Sequence, residues 1–485
     1  MQPLQLLRSR GLRGLQLLFA SPIRFLSLAD APKNNLMFNP KRVLILSKIT
    51  RYEFEGSVIG VSDEQQIRSA LKRKGLNVDA LLARHQVHHE KLSEFRKQLS
   101  ARGVDVQVVD RLGYTADAVN WADVIFTAGG DGTFLLGAHK IRTRDKLIIG
   151  LNTDPDFSAG CLCLPRWCTW NFPRVLDFLY GGRFRPLWRN RIRVTLIHDK
   201  QHVPRIDVLD KRKPAALDGW DRLEADEFQQ LDESCRPQVN PPSSTSSVPL
   251  DSLVPAGLRK YMTQTTLPIR ALNEVFFGES LSAKVSHYDI SIDGEKYVRQ
   301  KSSGVTCATG TGSSSWFYQI NRLSTEVVAD VLAIAKRLWD EDKRTLREQL
   351  ELHSPHGQPM SVRSYSVRGY PAVVPVTSES RSLEELQGCI PSLAHSVADQ
   401  YNASIPIRAE DLRIAYVVRD PLCNAVFNVS RPRGLATQIQ IRSTMLGGQI
   451  VFDGGWLFPL HYGAVVDLSI SPSDALCCLL PVDSS

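Results

Sequence analysis

Apolar-rich runs alternate with longer amphipathic stretches over the first part of the chain. The runs at 43–46, 104–109, 123–127 and 147–151 predict strands that are largely buried. A long helix is predicted within 79–102, with Asp79 as its cap and Gly103 at its end. Because strands that alternate with helices form parallel sheets covered by helices, residues 37–182 are predicted to be an α/β domain with a parallel sheet.

From about Arg183 onward, short runs of alternating polar and apolar residues replace this pattern. The runs at 191–197, 287–293, 437–442 and 464–470 predict a β-rich domain over 183–485, with one helical stretch near 313–338. Residues 199–260 and 339–404 show little periodicity, and both are predicted to be flexible inserts. The final strands either stay in this domain or return to the first one.

The first 29 residues contain four arginines, no lysine and no acid. This composition is typical of a mitochondrial transit peptide, so residues 1–36 are predicted to be a transit segment and leader, with a disordered basic tail as the alternative. Without those arginines, the excess of basic over acidic residues falls from eight to four, which gives no indication of nucleic-acid binding. No apolar run approaches the ~20 residues that cross a bilayer, so no membrane span is predicted.

Nine cysteines without framework spacing indicate free thiols in a reducing compartment. One cluster contains Cys161, Cys163 and Cys168. Its spacing offers no fourth ligand nearby, and buried thiols are common, so zinc is not predicted there. The predicted long helix also carries three histidines among charged neighbours, which we interpret as a solvated helical face: His85, His88 and His89.

Three glycines surround one acid between an apolar run and a helix-like run. The turn contains Gly129, Gly130, Asp131, Gly132 and Thr133. Glycines let backbone amides approach a phosphate closely, and the start of a helix favours an anion. A carboxylate here would repel phosphate unless it binds a cation or takes a proton, and both are tasks of a kinase. The alternative is an ordinary surface turn, in which Gly and Asp are common.

Two further polar clusters lie in the β-rich half. Asn273 and Glu274 interrupt an apolar run, where they could bind a nucleobase edge or a ribose diol, or pair with neighbouring backbone at a strand end. Residues 309–315 follow a predicted strand, and their hydroxyls and amides offer donors to a nucleotide; a flexible linker is the alternative. Trp316 follows them with a face for stacking or packing.

Taken in order, these segments resemble the NAD kinase family: Gly-Gly-Asp-Gly-Thr at 129–133, Asn-Glu at 273–274 and Thr-x-Thr-Gly-Ser at 309–313. The glycine motif alone is shared with lipid kinases and phosphofructokinase-like enzymes, but the three motifs together are far more specific. The chain departs from the family at Gly310, where proline is usual, and at Trp316, where tyrosine is usual. These departures resemble the mitochondrial branch, in agreement with the composition of residues 1–29.

The resemblance implies an NAD kinase-like fold and ATP-dependent phosphorylation of the adenosine ribose 2′-hydroxyl of NAD⁺ in the mitochondrial matrix. It implies a homodimer, Mg²⁺ that arrives with ATP, no metal held by the protein alone, and Asp131 as the base. Phosphate or ATP contacts are implied for Gly129, Gly130, Gly132 and Thr133. NAD contacts are implied for Asn152, Asn273, Glu274, Thr309, Thr311, Gly312 and Ser313. The alternatives are a lipid or sphingoid-base kinase and a non-catalytic dinucleotide sensor.

Overall fold

The computed structural model describes residues 38–60, 63–201, 207–208, 257, 259–281, 283–352, 383–423 and 431–481. The predicted transit segment at 1–36 and most of the insert at 199–260 lie outside these residues. Within the described part of the chain, no helix combines the length and the apolar character needed to cross a bilayer.

The described strands and helices are numbered in chain order. The strands are β1 (Arg42–Ser47), β2 (Asp105–Val109), β3 (Val124–Ala128), β4 (Leu147–Leu151), β5 (Phe184–Arg189), β6 (Ile192–Asp199), β7 (Asp207–Val208), β8 (Met262–Ala271), β9 (Glu274–Glu279), β10 (Ser286–Ile292), β11 (Val298–Ser302), β12 (Gly304–Ala308), β13 (Ile414–Arg419), β14 (Arg433–Ala436), β15 (Gln438–Ser443), β16 (Gly448–Phe452), β17 (Trp456–Leu460), β18 (Val465–Ile470) and β19 (Leu476–Pro481). The helices are α1 (Arg51–Ile59), α2 (Glu64–Arg73), α3 (Val78–Ser100), α4 (Ala116–Trp121), α5 (Asp131–His139), α6 (Arg166–Trp170), α7 (Phe172–Tyr180), α8 (Trp316–Asn321), α9 (Thr325–Leu352) and α10 (Leu383–Ala403).

The first sheet has the strand order β2-β1-β3-β4-β19-β5. The pairs among β1, β2, β3 and β4 are parallel, as is β4 with β19, whereas β5 is antiparallel to β19. Both faces are buried, because Val43 and Ile45 of β1 lie in one apolar cluster and Leu44 and Leu46 lie in another. A strand covered on both faces reads as a continuous apolar run, so the predicted α/β domain is confirmed.

The helix α3 corrects two details of the sequence prediction. Its cap is Asn77, whose Oδ1 accepts a hydrogen bond from the Ala80 amide, so the prediction of Asp79 as the cap is wrong. Asp79 lies in the first turn, where its charge still favours the helix start. The interpretation of a solvated histidine face is also wrong for His88, which is fully buried and contacts Ser47 and Thr153 through its two ring nitrogens.

The second half of the chain forms two antiparallel sheets, which confirms the predicted β-rich part. Their strand orders are β11-β10-β15-β18-β6-β8 and β14-β13-β12-β9-β16-β17-β7. One apolar core joins them, because Ile192 of β6 and Ile439 of β15 belong to the same buried cluster as Phe277 of β9 and Phe452 of β16. The alternating runs seen in the sequence therefore turn one face of each sheet towards this core.

Sheet membership does not change at residue 183, where the change in sequence pattern predicts a domain boundary. β5 follows that boundary and lies in the first sheet, to which the last strand, β19, also returns. β18, by contrast, stays in the β-rich part. The domain limits remain a prediction.

Residues Tyr318–Pro406 form a compact unit of their own. Within it, Val328 of α9 packs with Ala394 and Ala398 of α10. Asn402 donates to the Leu323 carbonyl and accepts from the Leu323 amide, at 2.9 and 2.8 Å. The prediction of a flexible insert over 339–404 is wrong for 339–352 and 383–403, which are helical. Because two of the three buried residues in this contact are alanines, the hydrophobic periodicity of these helices is weak in the sequence.

Candidate active site

The glycine turn joins β3 to α5 at the carboxyl edge of the first sheet. The backbone of Gly130 is extended and caps α5, which begins at Asp131. A Cβ on Gly129 would collide with the Thr133 hydroxyl, and a Cβ on Gly130 would approach the Ser158 hydroxyl to 2.5 Å. The packing of the turn therefore requires glycine at 129, where the Thr133 Cβ is also within 2.8 Å, whereas at 130 the Ser158 hydroxyl would have to rotate.

Gly132 has a different environment. No described atom outside its own helix turn lies within 4 Å of the position that a Cβ would take, and the residue is exposed. The first amides of an α-helix have no carbonyl partner within the helix, and they carry its positive end. Gly132 therefore leaves open space beside N–H groups that suit an anion.

The Asp131 carboxylate is half-buried and is held by the backbone of a neighbouring loop. Its Oδ2 accepts from the Cys161 amide at 3.0 Å, and its Oδ1 accepts from the Leu162 amide at 2.7 Å. An ionised carboxylate has about four acceptor sites, so two donors orient it without using its full capacity. The carboxylate thus has a fixed orientation beside the positive end of α5 and can still accept a proton.

The loop after β4 is organised around Asn152. Its Nδ2 donates to the Ser158 carbonyl, and its Oδ1 accepts from the Asp154 amide. Asp154 forms ion pairs with Lys48 at 3.3 Å and Arg84 at 2.5 Å. Burial lowers the pKa of the Lys48 ammonium, although Asp154 opposes the shift. Asn152 therefore orders the loop with its side-chain amide, and a direct NAD contact from this residue stays a prediction.

Asn273 and Glu274 lie at the junction of β8 and β9 rather than inside one strand. Asp453, in the turn between β16 and β17, accepts the amides of Leu272, Asn273 and Glu274 at 2.9, 2.7 and 3.0 Å. Its own φ is 47°, a left-handed conformation that Asp adopts more readily than most residues. Three successive amides around one carboxylate fix the backbone of the Asn-Glu pair.

The side chains of this pair leave two acceptors without protein partners. Asn273 and Glu274 are 8% and 7% exposed, yet Asn273 Oδ1 and Glu274 Oε2 have no hydrogen bond in the described part of the protein. Burial, and after it the charge of Asp453, raises the pKa of Glu274 to about 8. Unpaired buried acceptors are rare and cost stability, so this arrangement suits a ligand that brings N–H or O–H donors.

Glu274 should make the free energy of unfolding depend on pH. The unfolded chain releases this proton near pH 4.5, whereas the folded protein keeps it until about pH 8, so unfolding in this range releases a proton. We expect the free energy of unfolding to fall from pH 5 to pH 8 by more in the wild type than in Glu274→Gln, measured by urea denaturation. Glu279→Gln, on the same strand and paired with Lys284, is the control, in which the free energy of unfolding should change with pH as it does in the wild type. Equal slopes for wild type and Glu274→Gln would contradict the prediction.

The turn at 309–313 packs directly on the backbone of the Asn-Glu segment. The Thr309 hydroxyl donates to the Leu272 carbonyl, and the Thr309 amide donates to the Asn273 carbonyl at 2.8 Å. A Cβ on Gly312 would collide with that same Asn273 carbonyl. The Ser313 hydroxyl donates within the turn, to Gly310 at 2.7 Å. These hydroxyl protons therefore build the turn, which differs from the expectation that they are free donors.

His139 connects the glycine turn to the Asn-Glu segment. Trp456 Nε1 donates to His139 Nδ1 at 2.7 Å, and because an indole nitrogen can only donate, the ring proton must be on Nε2. Nε2 then donates to Asp453, also at 2.7 Å. His139 is the last residue of α5 and Asp131 is its first, so a helix about 12 Å long joins Asp131 to the carboxylate that holds residues 272–274.

Arg189 forms a hydrogen bond with the third motif. Its Nη1 donates to Thr311 Oγ1 at 3.3 Å. Its charge also reaches the Cys161 thiol, whose pKa is raised by burial and by Asp131 and lowered by Arg189. The three sequence motifs are thus connected to one another through short contacts within a single compact unit.

Sequence reasoning missed several residues that organise the site. They are Lys48, His139, Arg189 and Asp453. The only sequence signal was the acid-glycine turn that contains Asp453, and it gave no indication that this carboxylate binds amides 180 residues away.

No protein-family model matches the chain. Curated relatives do: the chain is 34% identical over 447 residues to human (Homo sapiens) NAD kinase 2, mitochondrial, an alignment that covers 91% of this chain and 85% of the relative. It is 32% identical over 461 residues to the Xenopus tropicalis protein of the same name, with 91% of each chain covered. The chain belongs to the NAD kinase family. A solved yeast NADH kinase, complexed with NADH, is 13% identical with a TM-score of 0.46, covering 91% of this chain and 84% of that one.

Within the NAD kinase family, the departure at Gly310 has a steric reason in this chain. A Cβ there would overlap the Arg408 carbonyl, because the segment around Arg408 passes directly over the 309–313 turn. The Ile407 amide donates to the Ser313 hydroxyl at 2.9 Å and holds that segment in place. The proline that is usual in the family would collide with this backbone, so glycine and the close approach occur together.

Proposed function

We propose that this NAD kinase transfers the γ-phosphoryl group of ATP to the adenosine ribose 2′-hydroxyl of NAD⁺ and releases NADP⁺ and ADP. The observation that supports this most strongly is the connection of Asp131, through α5, His139 and Asp453, to a buried Asn-Glu pair with two unpaired acceptors. A carboxylate beside the start of a helix suits a phosphate donor, and two unpaired buried acceptors suit the hydroxyl groups of a nucleoside.

The adenosine end of NAD⁺ is assigned to the Asn-Glu segment. Asn273 Oδ1 and Glu274 Oε2 would accept hydrogen bonds from the base or ribose, and this would remove the cost of two unpaired buried acceptors. The turn at Thr309, Thr311, Gly312 and Ser313 packs on the backbone of the pair, and Asn152 orders the loop beside the glycine turn, so all five are assigned to the NAD site. Their hydroxyl and backbone contacts support a preorganised site, which lowers the entropic cost of binding.

The phosphates of ATP are assigned to the start of α5. Gly129, Gly130 and Thr133 shape the turn, and Gly132 leaves the space for a phosphate oxygen to approach the amides. Asp131 is the one carboxylate in this turn, and two amides already orient it. Mg²⁺ would therefore come as part of the substrate MgATP and be coordinated largely by phosphate oxygens and water.

Asp131 would act as the general base. Its carboxylate takes the proton of the 2′-hydroxyl as that oxygen forms a bond to the γ-phosphorus, and the bond from this phosphorus to the oxygen of ADP breaks. The two amides that hold Asp131 keep the carboxylate directed towards the hydroxyl, so that catalysis depends on alignment as well as on proton transfer.

We also propose that the mature protein acts as a homodimer in the mitochondrial matrix. The curated relatives are named mitochondrial, and residues 1–29 are free of acids and contain four arginines. Family resemblance supports the dimer. Import of residues 1–36 fused to a reporter, followed by protease protection in mitoplasts, tests the first part, and sedimentation equilibrium tests the second. A reporter left in the cytosol, or a monomer at every concentration, would overturn the respective part.

The activity itself is tested with the purified chain, ATP, Mg²⁺ and one acceptor at a time. We expect NADP⁺ to form from NAD⁺, and no product to form from diacylglycerol or sphingosine. We also expect NAD⁺ to raise the melting temperature, whereas the lipids should not. Phosphorylation of a lipid in place of NAD⁺ would favour the lipid-kinase alternative, and NAD⁺ binding without NADP⁺ would favour a sensor.

Gly132→Ala should separate phosphate binding from folding. Nothing in the described protein meets the added methyl group, and alanine stabilises a helix by up to about 1 kcal/mol relative to glycine, so the variant should fold at least as well as wild type. The methyl group would displace the phosphates, so we expect kcat/KM for ATP to fall about 100-fold, measured by steady-state kinetics. Gly129→Ala is the contrast, because its clash with Thr133 should lower the melting temperature. Full activity of Gly132→Ala would contradict this placement of the phosphates.

A further inference from the structure

A cluster of metal-ligating side chains lies away from the glycine turn, where α1 packs on α3. It contains Glu53 of α1 and two histidines of α3, His85 and His89. His89 Nε2 is 2.9 Å from Glu53 Oε1, and His85 Nδ1 is 3.9 Å from the same oxygen. One potential ligand atom from each residue lies within 4.8 Å of those of the other two. The proposed reaction uses none of these residues.

The spacing of these atoms suits a tetrahedral metal ion. Two histidines four residues apart lie on the same face of a helix, which is a common arrangement for zinc ligands. Zinc bound to nitrogen and oxygen at about 2.0–2.1 Å places its ligand atoms roughly 3.4 Å apart, and the two measured distances lie on either side of that value. Two imidazoles and a carboxylate form a three-ligand set that leaves one position for water.

The carboxylate is already oriented for such a role. Glu53 Oε2 accepts from the Thr50 amide at 2.7 Å and from the Thr50 hydroxyl at 2.8 Å, which leaves Oε1 directed at the histidines. Hydrogen bonds of this kind orient the side chains that coordinate a metal ion. The packing of α1 against α3 therefore holds all three groups together before an ion arrives.

His85 is also held by Thr50, whose hydroxyl lies 2.9 Å from His85 Nδ1. Because that hydroxyl donates its proton to Glu53 Oε2, His85 Nδ1 donates to the hydroxyl in the ion-free protein. An ion bound at Nδ1 therefore replaces this hydrogen bond, and the ring proton then lies on Nε2.

We propose that Glu53, His85 and His89 bind a divalent transition metal ion of the zinc class, which clamps α1 to α3. The ion takes the place of two hydrogen bonds, the one that joins His89 to Glu53 and the one that joins His85 Nδ1 to the Thr50 hydroxyl. Hard ions that prefer oxygen, such as Mg²⁺, are disfavoured because two of the three ligands are nitrogens. The clamp stabilises the fold and takes no part in phosphoryl transfer.

The test is Zn²⁺ titration of the purified, metal-free full chain, followed by calorimetry and by the melting temperature. We expect one tight site per chain and a higher melting temperature with Zn²⁺ but not with Mg²⁺. His85→Asn/His89→Asn should weaken binding at least about tenfold and remove the thermal shift. His395→Asn is the matched control, because His395 has a carboxylate neighbour, Asp399, at 3.3 Å but no second histidine in a metal-ligating group of the described residues.

Cobalt binding distinguishes this site from the free cysteines, of which Cys161 and Cys423 are exposed. We expect Co²⁺ to give visible d–d absorption without thiolate-to-cobalt charge transfer, and the double variant to lose that absorption with all cysteines intact. Zinc bound equally by wild type and the double variant would overturn the proposal, as would thiolate bands or the absence of a tight site. Because Mg²⁺-dependent NADP⁺ formation is measured separately, failure here leaves the proposed kinase activity standing.

Discussion

Asp131→Asn is expected to lower kcat for NADP⁺ formation about 10²–10⁴-fold, the range typical of losing a positioned general base. Asparagine has nearly the shape of aspartate but cannot take the proton of the 2′-hydroxyl. Its single oxygen can keep only one of the Cys161 and Leu162 amides, and the half-buried position leaves the other amide to water. NAD⁺ affinity should change little, because the unpaired acceptors assigned to adenosine are on Asn273 and Glu274. Steady-state kinetics with NAD⁺ and ATP, together with calorimetric titration of NAD⁺, measure the two quantities separately.

Asp123→Asn is the control for the loss of a carboxylate that binds backbone amides away from the site. Asp123 accepts the amides of Lys41 and Arg42 at 2.9 Å each, both through Oδ2, and it precedes β3 at the opposite end from the glycine turn. We expect its substitution to leave kcat within a few-fold of wild type. If Asp131→Asn kept full NADP⁺ production, Asp131 would not be the base. If NAD⁺ affinity fell as far as kcat, Asp131 would act in substrate binding instead.

The sheet strands were predictable because their signals are local. A parallel strand buried on both faces appears as a continuous apolar run, as at Leu44–Leu46, and an antiparallel strand beside a core appears as alternation. Sheet membership was not predictable, since β5 and β19 join the first sheet through pairings between distant parts of the chain. The pair α9 and α10 was missed because its contact face consists mainly of small alanines.

In the candidate site, too, the residues with local signals were predictable and those with distant partners were not. Asp131 and its glycines could be found because strand, turn and helix are contiguous, so that their geometry follows from neighbouring residues. The roles of Thr309 and Ser313 could not, because a hydroxyl beside a glycine can donate to a nucleotide or to backbone, and only the fold decides. Asp453 was missed because its partners are the amides at 272–274, and amides carry no sequence signal.

Asp453→Asn is expected to lower both the free energy of unfolding and the affinity for NAD⁺. The Asp453 side chain is fully buried and accepts from three amides and from His139. Asparagine tolerates the left-handed backbone, but it has only one oxygen acceptor, so its NH₂ group would face the Leu272 amide and the His139 Nε2–H. Opposed buried donors should cost about 3 kcal/mol or more in the free energy of unfolding, measured by urea denaturation.

Asp293→Asn is the control, because Asp293 is an exposed aspartate with the same left-handed backbone. Asp293 has a φ of 48° and accepts from Thr437 and Gln438, but all three bonds use one oxygen, which asparagine retains. We therefore expect it to cost less than about 1 kcal/mol and to keep NAD⁺ affinity. Asp453→Asn, by contrast, should weaken NAD⁺ binding at least about tenfold even for the folded fraction, because the backbone that carries Asn273 and Glu274 loses its anchor. A stable Asp453→Asn protein with wild-type NAD⁺ affinity would show that residues 272–274 keep their geometry without this carboxylate. The connection from α5 to these residues would then have no part in binding.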